Sequence, residues 1–249
     1  MSDRLSGATN FRDLGRHRTA SGATVVAGRL FRADHLGALT AQDMARLRAL
    51  GVRRVLDLRG EQERTTAPCA LDDVAVHALS IEPTIVRKLG DLIAAGHRLT
   101  PGEVVAHMQD TYRGFVRHNT HRFAQLFAHL LASDVPTVFH CTAGKDRTGF
   151  AAALVLRSLG VPHDEVMRDY LLTNERLKPM QASPHGLAPE VQMVLWRVQP
   201  DFLQAAFEAV AADYGDIEGY FRDGLNLREP QRERLRELYL EPGQSGPRR

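Results

Sequence analysis

Two apolar segments joined by a short polar loop constrain the fold of this chain more than any other feature. Residues 135–140 (VPTVFH) predict a buried β-strand, and residues 148–160 (TGFAAALVLRSLG) predict a helix that is apolar on nearly every face and ends at Gly160. The seven residues between them, 141–147, must form a loop from strand to helix. Such a unit is typical of α/β folds, in which helices pack against a sheet.

The rest of the chain alternates between short apolar runs and amphipathic segments. Short strands are predicted within residues 24–33 around Gly28, within 53–59 and within 74–79. Helices are predicted from the Thr40 cap to Gly51, over 84–95, from a capping box at Thr100–Glu103 to about Asn119, and in a further segment through about Ala132. Beyond Pro162, helices are predicted at 163–177, 202–215, 217–224 and 230–240, with a loop at 179–189.

Length and composition predict one ordinary globular unit. The 249 residues are 43% hydrophobic and 25% charged, which is enough to bury one sizeable core. We therefore expect a single domain over residues 1–243, followed by a disordered polar tail at 244–249. Lys and Arg number 32 against 30 Asp and Glu, and this balance predicts no binding to nucleic acid.

Apolar runs and cysteines indicate the compartment. The sequence does not open on a basic segment followed by an apolar stretch, and the longest apolar run, 150–156, is far too short to span a membrane. The two cysteines, Cys69 and Cys141, are too few for a disulfide framework and suit a reducing compartment. We therefore predict a cytoplasmic protein without a membrane span, in which Cys69 is an ordinary thiol and Cys141 is a candidate reactive thiol.

The loop between the buried strand and the buried helix has the composition of an oxyanion site. Residues 140–149 read HCTAGKDRTG, which satisfies Cys-x5-Arg followed by Thr. The small residues Thr142, Ala143 and Gly144 let successive backbone N–H groups turn inward, and the helix adds its positive N-terminal end. Because cysteines at such helix ends near a guanidinium have lowered pKa values, we expect Cys141 to be a thiolate that attacks phosphorus.

Other side chains of the loop complete this chemistry. Arg147 is suited to bind two phosphate oxygens at once and to hold them more strongly in the transition state. Thr148 is expected to donate a hydrogen bond to the Cys141 sulfur, which favours its departure from a phosphocysteine, while His140 orders the loop. Lys145 adds a second cation, which either suits inositol phosphates or steers any anion. The loop thus predicts a cysteine-dependent phosphate monoester hydrolase.

Other functions remain as alternatives. A phosphate-binding module without turnover could use the same loop, and a sulfurtransferase also carries a loop cysteine, although it gives no reason for both Arg147 and Thr148. Gly144 and Lys145 superficially suggest a nucleotide-binding P-loop, but Phe139 and Asp146 stand where that motif requires Gly and Ser or Thr. No His-Glu-x-x-His motif occurs, so no metal or other cofactor is expected.

The sequence resembles the atypical bacterial tyrosine phosphatases, which are related to dual-specificity and phosphoinositide phosphatases and have an HCxxGKDRTG loop. The resemblance includes Asn10–Gly15, Gly28–Arg32, Asp57–Arg59 with Glu63, Asp169–Asn174, and the terminal Tyr-Gly and Leu-Arg segments. It implies a protein-tyrosine-phosphatase-like α/β fold, with a central, mostly parallel sheet flanked by helices and a helical C-terminal part. It also implies a phosphorylated protein or a phosphoinositide as substrate, without deciding between them.

The resemblance leaves the proton donor open between two aspartates. The Trp-Pro-Asp loop of eukaryotic enzymes is absent, since the only tryptophan, Trp196, is followed by Arg197. By the family's pattern Asp146 is the leading candidate, and Asp57 is the second candidate or instead orients Arg147 or the loop.

For two further features the first interpretation is structural. Arg12 and Asp13 are interpreted as an ion pair, and helix 84–95 as an ordinary surface helix or else a cover over a cleft.

Overall fold

A central, mostly parallel β-sheet organises the molecule. The computed structural model describes residues 4–177 and 187–242, and in these ranges the strands are β1 (Arg12–Asp13), β2 (Thr24–Val25), β3 (Leu30–Ala33), β4 (Arg54–Asp57), β5 (Ala75–Ala78), β6 (Thr137–His140) and β7 (Leu240–Glu241). Five of them form one sheet in the order β1-β3-β6-β4-β5. All its neighbours are parallel except β1, which is antiparallel to β3, while β2 and β7 form a separate antiparallel pair. The predicted fold class is confirmed.

The helices agree with most of the sequence-based predictions. They are α1 (Ala41–Ala49), α2 (Glu61–Thr66), α3 (Thr84–Ala94), α4 (Pro101–Ala132), α5 (Asp146–Ser158), α6 (His163–Arg176), α7 (Pro189–Trp196), α8 (Pro200–Tyr214), α9 (Ile217–Gly219), which continues as a π-helical turn (Tyr220–Gly224), and α10 (Glu229–Tyr239). Thr40 and Thr100 cap α1 and α4 as predicted. Among the helices of the described residues, none is both long and apolar enough to cross a membrane.

Helix α4 corrects one prediction, because it is a single helix of 32 residues instead of two helices that meet near Asn119. In the structure the Asn119 amide donates to the Gly114 carbonyl, and the Thr120 hydroxyl donates to the Val116 carbonyl. Both side chains therefore bond to the preceding turn of their own helix, and neither caps a new one.

The C-terminal part is helical, as predicted, but α7 was not among the predicted helices. It begins at Pro189, the last residue of the predicted loop at 179–189, and this proline stands in the first turn of the helix. Residues 178–186 of that loop and the predicted tail at 244–249 lie outside the described residues.

Alternate side chains of the central strands enter two separate hydrophobic clusters. On one face of the sheet, Val138 of β6 packs in a cluster with Leu47 of α1. On the other face, Phe139 packs in a cluster that includes Phe123 of α4 and Phe150 of α5. Side chains of a strand alternate between the two faces of its sheet, and both faces here are covered, as is usual for a parallel sheet.

The parallel register brings the polar loop beside two other strand ends. His140 at the end of β6 is level with Ala33 of β3 on one side and with Asp57 of β4 on the other. The residues that follow all three strands therefore emerge at the same edge of the sheet, where α/β proteins place their functional groups.

Candidate active site

The carbonyl groups of the loop between β6 and α5 are all held from outside the loop. The ring Nδ1 of His140 contacts the Cys141 carbonyl at 3.1 Å, and the His35 backbone N–H donates to the Thr142 carbonyl at 3.0 Å. Further donors bind the next three carbonyls: the Asn10 amide to Ala143 (3.1 Å) and Gly144 (2.9 Å), the Arg32 guanidinium to Gly144 (2.8 Å), and the Gly149 N–H to Lys145 (2.9 Å).

This arrangement turns the N–H groups of the same peptides inward. In a planar trans peptide the carbonyl and the following N–H point in opposite directions. Since the carbonyls of residues 141–145 face outward, the N–H groups of 142–146 face the inside of the loop. Gly144 has φ +63°, and a Cβ there would lie 2.3 Å from the Ala33 carbonyl oxygen, so the loop requires glycine at this position. The result is a concave row of donors at a helix N-terminus, which is suited to an oxyanion.

A buried ionic network supports the loop from behind. The Asp169 carboxylate binds Arg12 Nε at 2.7 Å and Arg32 Nη1 at 2.6 Å, and all three side chains are at most 5% exposed. Arg12 also donates to the Asn10 side-chain oxygen at 2.6 Å. The two side chains that hold the Gly144 carbonyl, Asn10 and Arg32, are therefore both fixed by this network. Although burial opposes ionisation, the two arginines hold the pKa of Asp169 well below its usual value.

The network corrects the expected ion pair between Arg12 and Asp13. Consecutive residues of a strand point to opposite faces, so these two side chains diverge. Arg12 forms its ion pair with Asp169, whereas the Asp13 carboxylate accepts from the backbone N–H groups of Gly15 and Gly28.

We expect Asn10→Ala to weaken oxyanion binding about tenfold, although Asn10 lies behind the loop. The substitution removes a donor from the partly buried Ala143 carbonyl and from the buried Gly144 carbonyl, which costs about 1–3 kcal/mol and lets the peptides turn. The measurement is the dissociation constant of inorganic phosphate by calorimetry. Asn119→Ala, which removes one amide-to-carbonyl bond within α4, is the matched control and should leave phosphate binding unchanged. Equal phosphate affinity in both variants would contradict a supporting role of Asn10.

Arg147 is held with one edge of its guanidinium free. Nη1 and Nη2 donate to the two Glu63 oxygens at 2.6 and 2.8 Å, and Nη1 also donates to the Ile81 carbonyl at 2.9 Å. A guanidinium has five N–H donors, and these contacts use three of them. The two that remain, on Nε and Nη2, are parallel and lie along one edge, which is the geometry that binds two oxygens of a phosphate.

Glu63 therefore orients Arg147. It is located at the third position of α2 and also accepts hydrogen bonds from the Gly60 N–H and the Thr142 hydroxyl. Although burial opposes ionisation, the Arg147 guanidinium lowers the pKa of Glu63 to about 2, so the carboxylate stays charged across the working range.

Cys141, Thr148 and His140 are all buried at the base of the loop. Cys141 is a free thiol and is 2% exposed. The Thr148 hydroxyl is fully buried and has no hydrogen-bond partner within the described residues, so the structure does not show the predicted bond to the sulfur. Burial lowers the pKa of His140 to about 4, which makes the ring neutral at pH 7 and leaves it to order the Cys141 carbonyl.

The two candidate proton donors are in contrasting environments. Asp146, at the first position of α5, has a side chain that is 24% exposed and is bound by Lys145 at 2.9 Å and by the Tyr112 hydroxyl at 2.9 Å. Asp57 is 1% exposed and is enclosed by Arg59, which contacts it at 2.7 to 3.1 Å. Burial raises the pKa of Asp57, but the bonds from Arg59 lower it below its usual value. The carboxyl group therefore carries no proton at neutral pH.

Lys145 is not a free surface charge. It is 4% exposed, and its ammonium group is paired with the Asp146 carboxylate. Lys145 therefore lies within the site and not on the open surface, while its contact with a second phosphate stays a prediction.

Helix α3 borders a cleft that adjoins Arg147. Together with α4 and residues 80–82 it lines a cavity of about 1060 Å³, and Leu89 of α3 is buried in the hydrophobic core. The Ile81 carbonyl that receives Arg147 belongs to this wall. The predicted helix is confirmed, while its role as a cover stays a prediction.

Comparison with known proteins shows what this chain is similar to. The sequence profile of the tyrosine phosphatase family matches residues 4–241. A proposed tyrosine-protein phosphatase of Cupriavidus necator is 33% identical over 240 residues, which cover 93% of this chain and 86% of that protein. The triple specificity protein phosphatase PtpB of Mycobacterium tuberculosis is 32% identical over 260 residues, which cover 88% of this chain and 92% of that protein.

Proposed function

This chain belongs to the tyrosine phosphatase family and is a cysteine-based phosphatase, and we propose that it hydrolyses phosphate monoesters through a phosphocysteine at Cys141. The observation that carries the proposal is the set of inward-facing N–H groups at residues 142–146, with Cys141 at their base and two parallel donors of Arg147 free. Nothing else in the described residues combines a nucleophile with so many donors for one oxyanion.

The first step transfers the phosphoryl group to sulfur. The loop N–H groups and Arg147 bind the three terminal oxygens, and the Cys141 thiolate attacks phosphorus opposite the leaving oxygen. The S–P bond forms as the P–O bond to the leaving group breaks. The leaving oxygen takes a proton from Asp146, so it departs as a neutral alcohol or phenol.

The second step regenerates the enzyme. Water attacks phosphorus, the S–P bond breaks, and inorganic phosphate forms. The Asp146 carboxylate now accepts a proton from this water, in reverse of its first role. The departing sulfur is stabilised by the N-terminal end of α5 and by the Thr148 hydroxyl, which is buried beside the loop, has no hydrogen-bond partner within the described residues and would turn to the sulfur in this step.

The assignment of the acid to Asp146 rests on access. Asp146 lies at the rim of the loop with its side chain 24% exposed, whereas Asp57 is 1% exposed and enclosed by Arg59. An acid must reach the leaving oxygen in order to give it a proton. Asp57 is better suited to hold Arg59. Its Oδ2 also lies 3.6 Å from His140 Nε2, so it helps to hold the base of the loop.

Asp146→Ala should slow phosphotyrosine hydrolysis by about 10²-fold or more while changing p-nitrophenyl phosphate turnover by less than about threefold. A good leaving group departs without a proton, and a poor one does not. The measurement is kcat for both substrates, with Asp57→Asn in parallel. We expect Asp57→Asn to slow both substrates equally, because it disturbs a buried ion pair. The reverse pattern would transfer the role of acid to Asp57.

The substrate is proposed to be a phosphorylated protein carrying phosphotyrosine. The names of the relatives support this class, and so does the pairing of Lys145 with Asp146, which leaves one cation, Arg147, for one phosphate. A phosphoinositide is the second candidate, because Lys145 could exchange Asp146 for a second phosphate. Comparing kcat/KM for a phosphotyrosine peptide with that for phosphoinositides tests the choice.

Compartment and domain organisation are also proposals. Cys69 and Cys141 are both free thiols, which supports a reducing, cytoplasmic location. One hydrophobic cluster includes Leu14 and Tyr239, near opposite ends of the described residues, which supports a single domain over 1–243.

Two assays test the alternative functions. Turnover of p-nitrophenyl phosphate distinguishes a hydrolase from a binding module, and thiosulfate-to-cyanide transfer would reveal a sulfurtransferase.

A further inference from the structure

Two buried tyrosines extend inward from Asp146. The Tyr112 hydroxyl on α4 lies 2.9 Å from Asp146 Oδ1 and 2.6 Å from the Tyr170 hydroxyl on α6. Tyr112 and Tyr170 are 0% and 1% exposed. Three helices thus meet at the proposed acid, and no role for either hydroxyl follows from the steps above.

The direction of these hydrogen bonds is fixed by the carboxylate. An ionised carboxylate only accepts, so Tyr112 donates to Asp146, and its oxygen is then free to accept from Tyr170. Burial raises the pKa of both hydroxyls well above the usual value for tyrosine, so both keep their protons. The result is a chain of donors from Tyr170 through Tyr112 to Asp146, in which each bond strengthens the next.

Packing leaves both rings little freedom to move. The Tyr112 ring lies 5.1 Å from the Phe115 ring and 5.9 Å from the Phe202 ring. The Tyr170 ring lies against the backbone of α5 at Gly149, where a Cβ would come within 2.9 Å of it. A donor on so rigid a support fixes the position of Asp146 Oδ1 more firmly than Lys145 can, because a lysine has a long and flexible stem.

We propose that Tyr112, itself oriented by Tyr170, is a positioning residue that fixes Oδ1 of Asp146 and so sets the angle at which Oδ2, the oxygen that also contacts Lys145, meets the leaving group. This inference rests on the proposed role of Asp146 as the acid. Without Tyr112 the carboxyl group is held, among the described residues, only by the flexible ammonium group of Lys145, which contacts both of its oxygens at 2.9 Å. The carboxyl group then rotates more freely about its Cβ–Cγ bond, so fewer encounters present a proton to the leaving oxygen.

Tyr112→Phe should lower kcat for phosphotyrosine about tenfold, with less than about a twofold change for p-nitrophenyl phosphate, because a hydrogen bond to a charged group is worth about 1.5–3 kcal/mol. Tyr170→Phe should act in the same direction with a smaller effect of about threefold, since it touches Asp146 only through Tyr112. The matched control is Tyr220→Phe, which removes another fully buried hydroxyl that bonds to α4 at Thr120. Tyr220→Phe should leave the ratio of the two rates unchanged.

A double-mutant cycle separates positioning from a general structural effect. In the Asp146→Ala background, Tyr112→Phe should have no further effect on phosphotyrosine, because the group that it positions is gone. Equal slowing of both substrates, or an undiminished effect in the Asp146→Ala background, would overturn the inference. If Asp146→Ala itself lacks the leaving-group contrast, the proposed acid is wrong and the inference is overturned with it. Contrast in Asp146→Ala but not in Tyr112→Phe would overturn the inference alone.

Discussion

Replacing Cys141 with serine is expected to abolish turnover while the protein keeps its affinity for phosphate. A serine hydroxyl at this position is neutral and weakly nucleophilic, and the adjacent His140 ring is engaged with the carbonyl of residue 141, so it does not serve as a base for the serine. The rate should fall by at least about 10⁴-fold, as expected for loss of a catalytic nucleophile. The inward-facing N–H groups of 142–146 are unaffected, and the thiolate that repels a dianion is gone, so phosphate should bind as well as before or better.

Two measurements distinguish this outcome from simple misfolding. Turnover of p-nitrophenyl phosphate reports the chemistry, and calorimetric titration with phosphate reports the loop. Cys69→Ser provides the matched control, because Cys69 is the other free thiol of the chain. It should retain wild-type turnover. If Cys141→Ser were nearly as active as the wild type, the phosphocysteine mechanism would be wrong.

Arg147→Lys is expected to lower kcat/KM for phosphotyrosine by about 10³-fold although the charge is conserved. Lysine has no planar fork, so it cannot bind the two Glu63 oxygens and the Ile81 carbonyl while offering two parallel donors to phosphate. Removal of such an arginine from a phosphoryl-transfer site typically costs 10³–10⁵-fold in rate.

Arg147→Lys should change kcat as well as KM, because the bidentate contact to phosphate strengthens in the transition state. Arg234→Lys, in an exposed pair with Glu237, is the control and should change neither constant. A loss below about tenfold for Arg147→Lys would show that a point charge is enough in this loop.

The parts of the fold that depend on neighbouring residues could be predicted from the sequence. Thr40 and Thr100 mark predicted helix starts, and in the structure each is the N-cap of a helix and forms a capping box there. The uninterrupted α4 could not be foreseen at Asn119, because an isolated polar residue has the same appearance whether it caps a new helix or bonds back to its own. Which of these occurs depends on tertiary contacts, such as the hydrogen bond between the Thr120 and Tyr220 hydroxyls, that the local sequence does not contain.

The same distinction applies to the candidate site. The residues from Cys141 to Thr148 are contiguous, so their spacing was enough to predict an oxyanion loop. Glu63 was identified only through the family resemblance. Nothing in the sequence indicated a role for Tyr112, because an aromatic residue on an amphipathic helix has the pattern of a core residue. Arg12 was assigned to its neighbour Asp13, whereas its partner Asp169 is 157 residues away in the sequence. No local pattern contains that information.

The hydrogen bond from Asn10 to the Gly144 carbonyl has a consequence for the order of folding. Its two ends are separated by 134 residues, so the contact closes a very long segment of chain, and contacts of this kind form late. Until residues near Asn10 have docked, the Gly144 carbonyl lacks one of its two side-chain donors, and the loop should bind an oxyanion more weakly. Phosphate therefore favours molecules that have completed their topology. Added phosphate should raise the free energy of unfolding with the logarithm of one plus the ratio of the phosphate concentration to Kd, and phosphate binding can be used as a probe for the last stage of refolding.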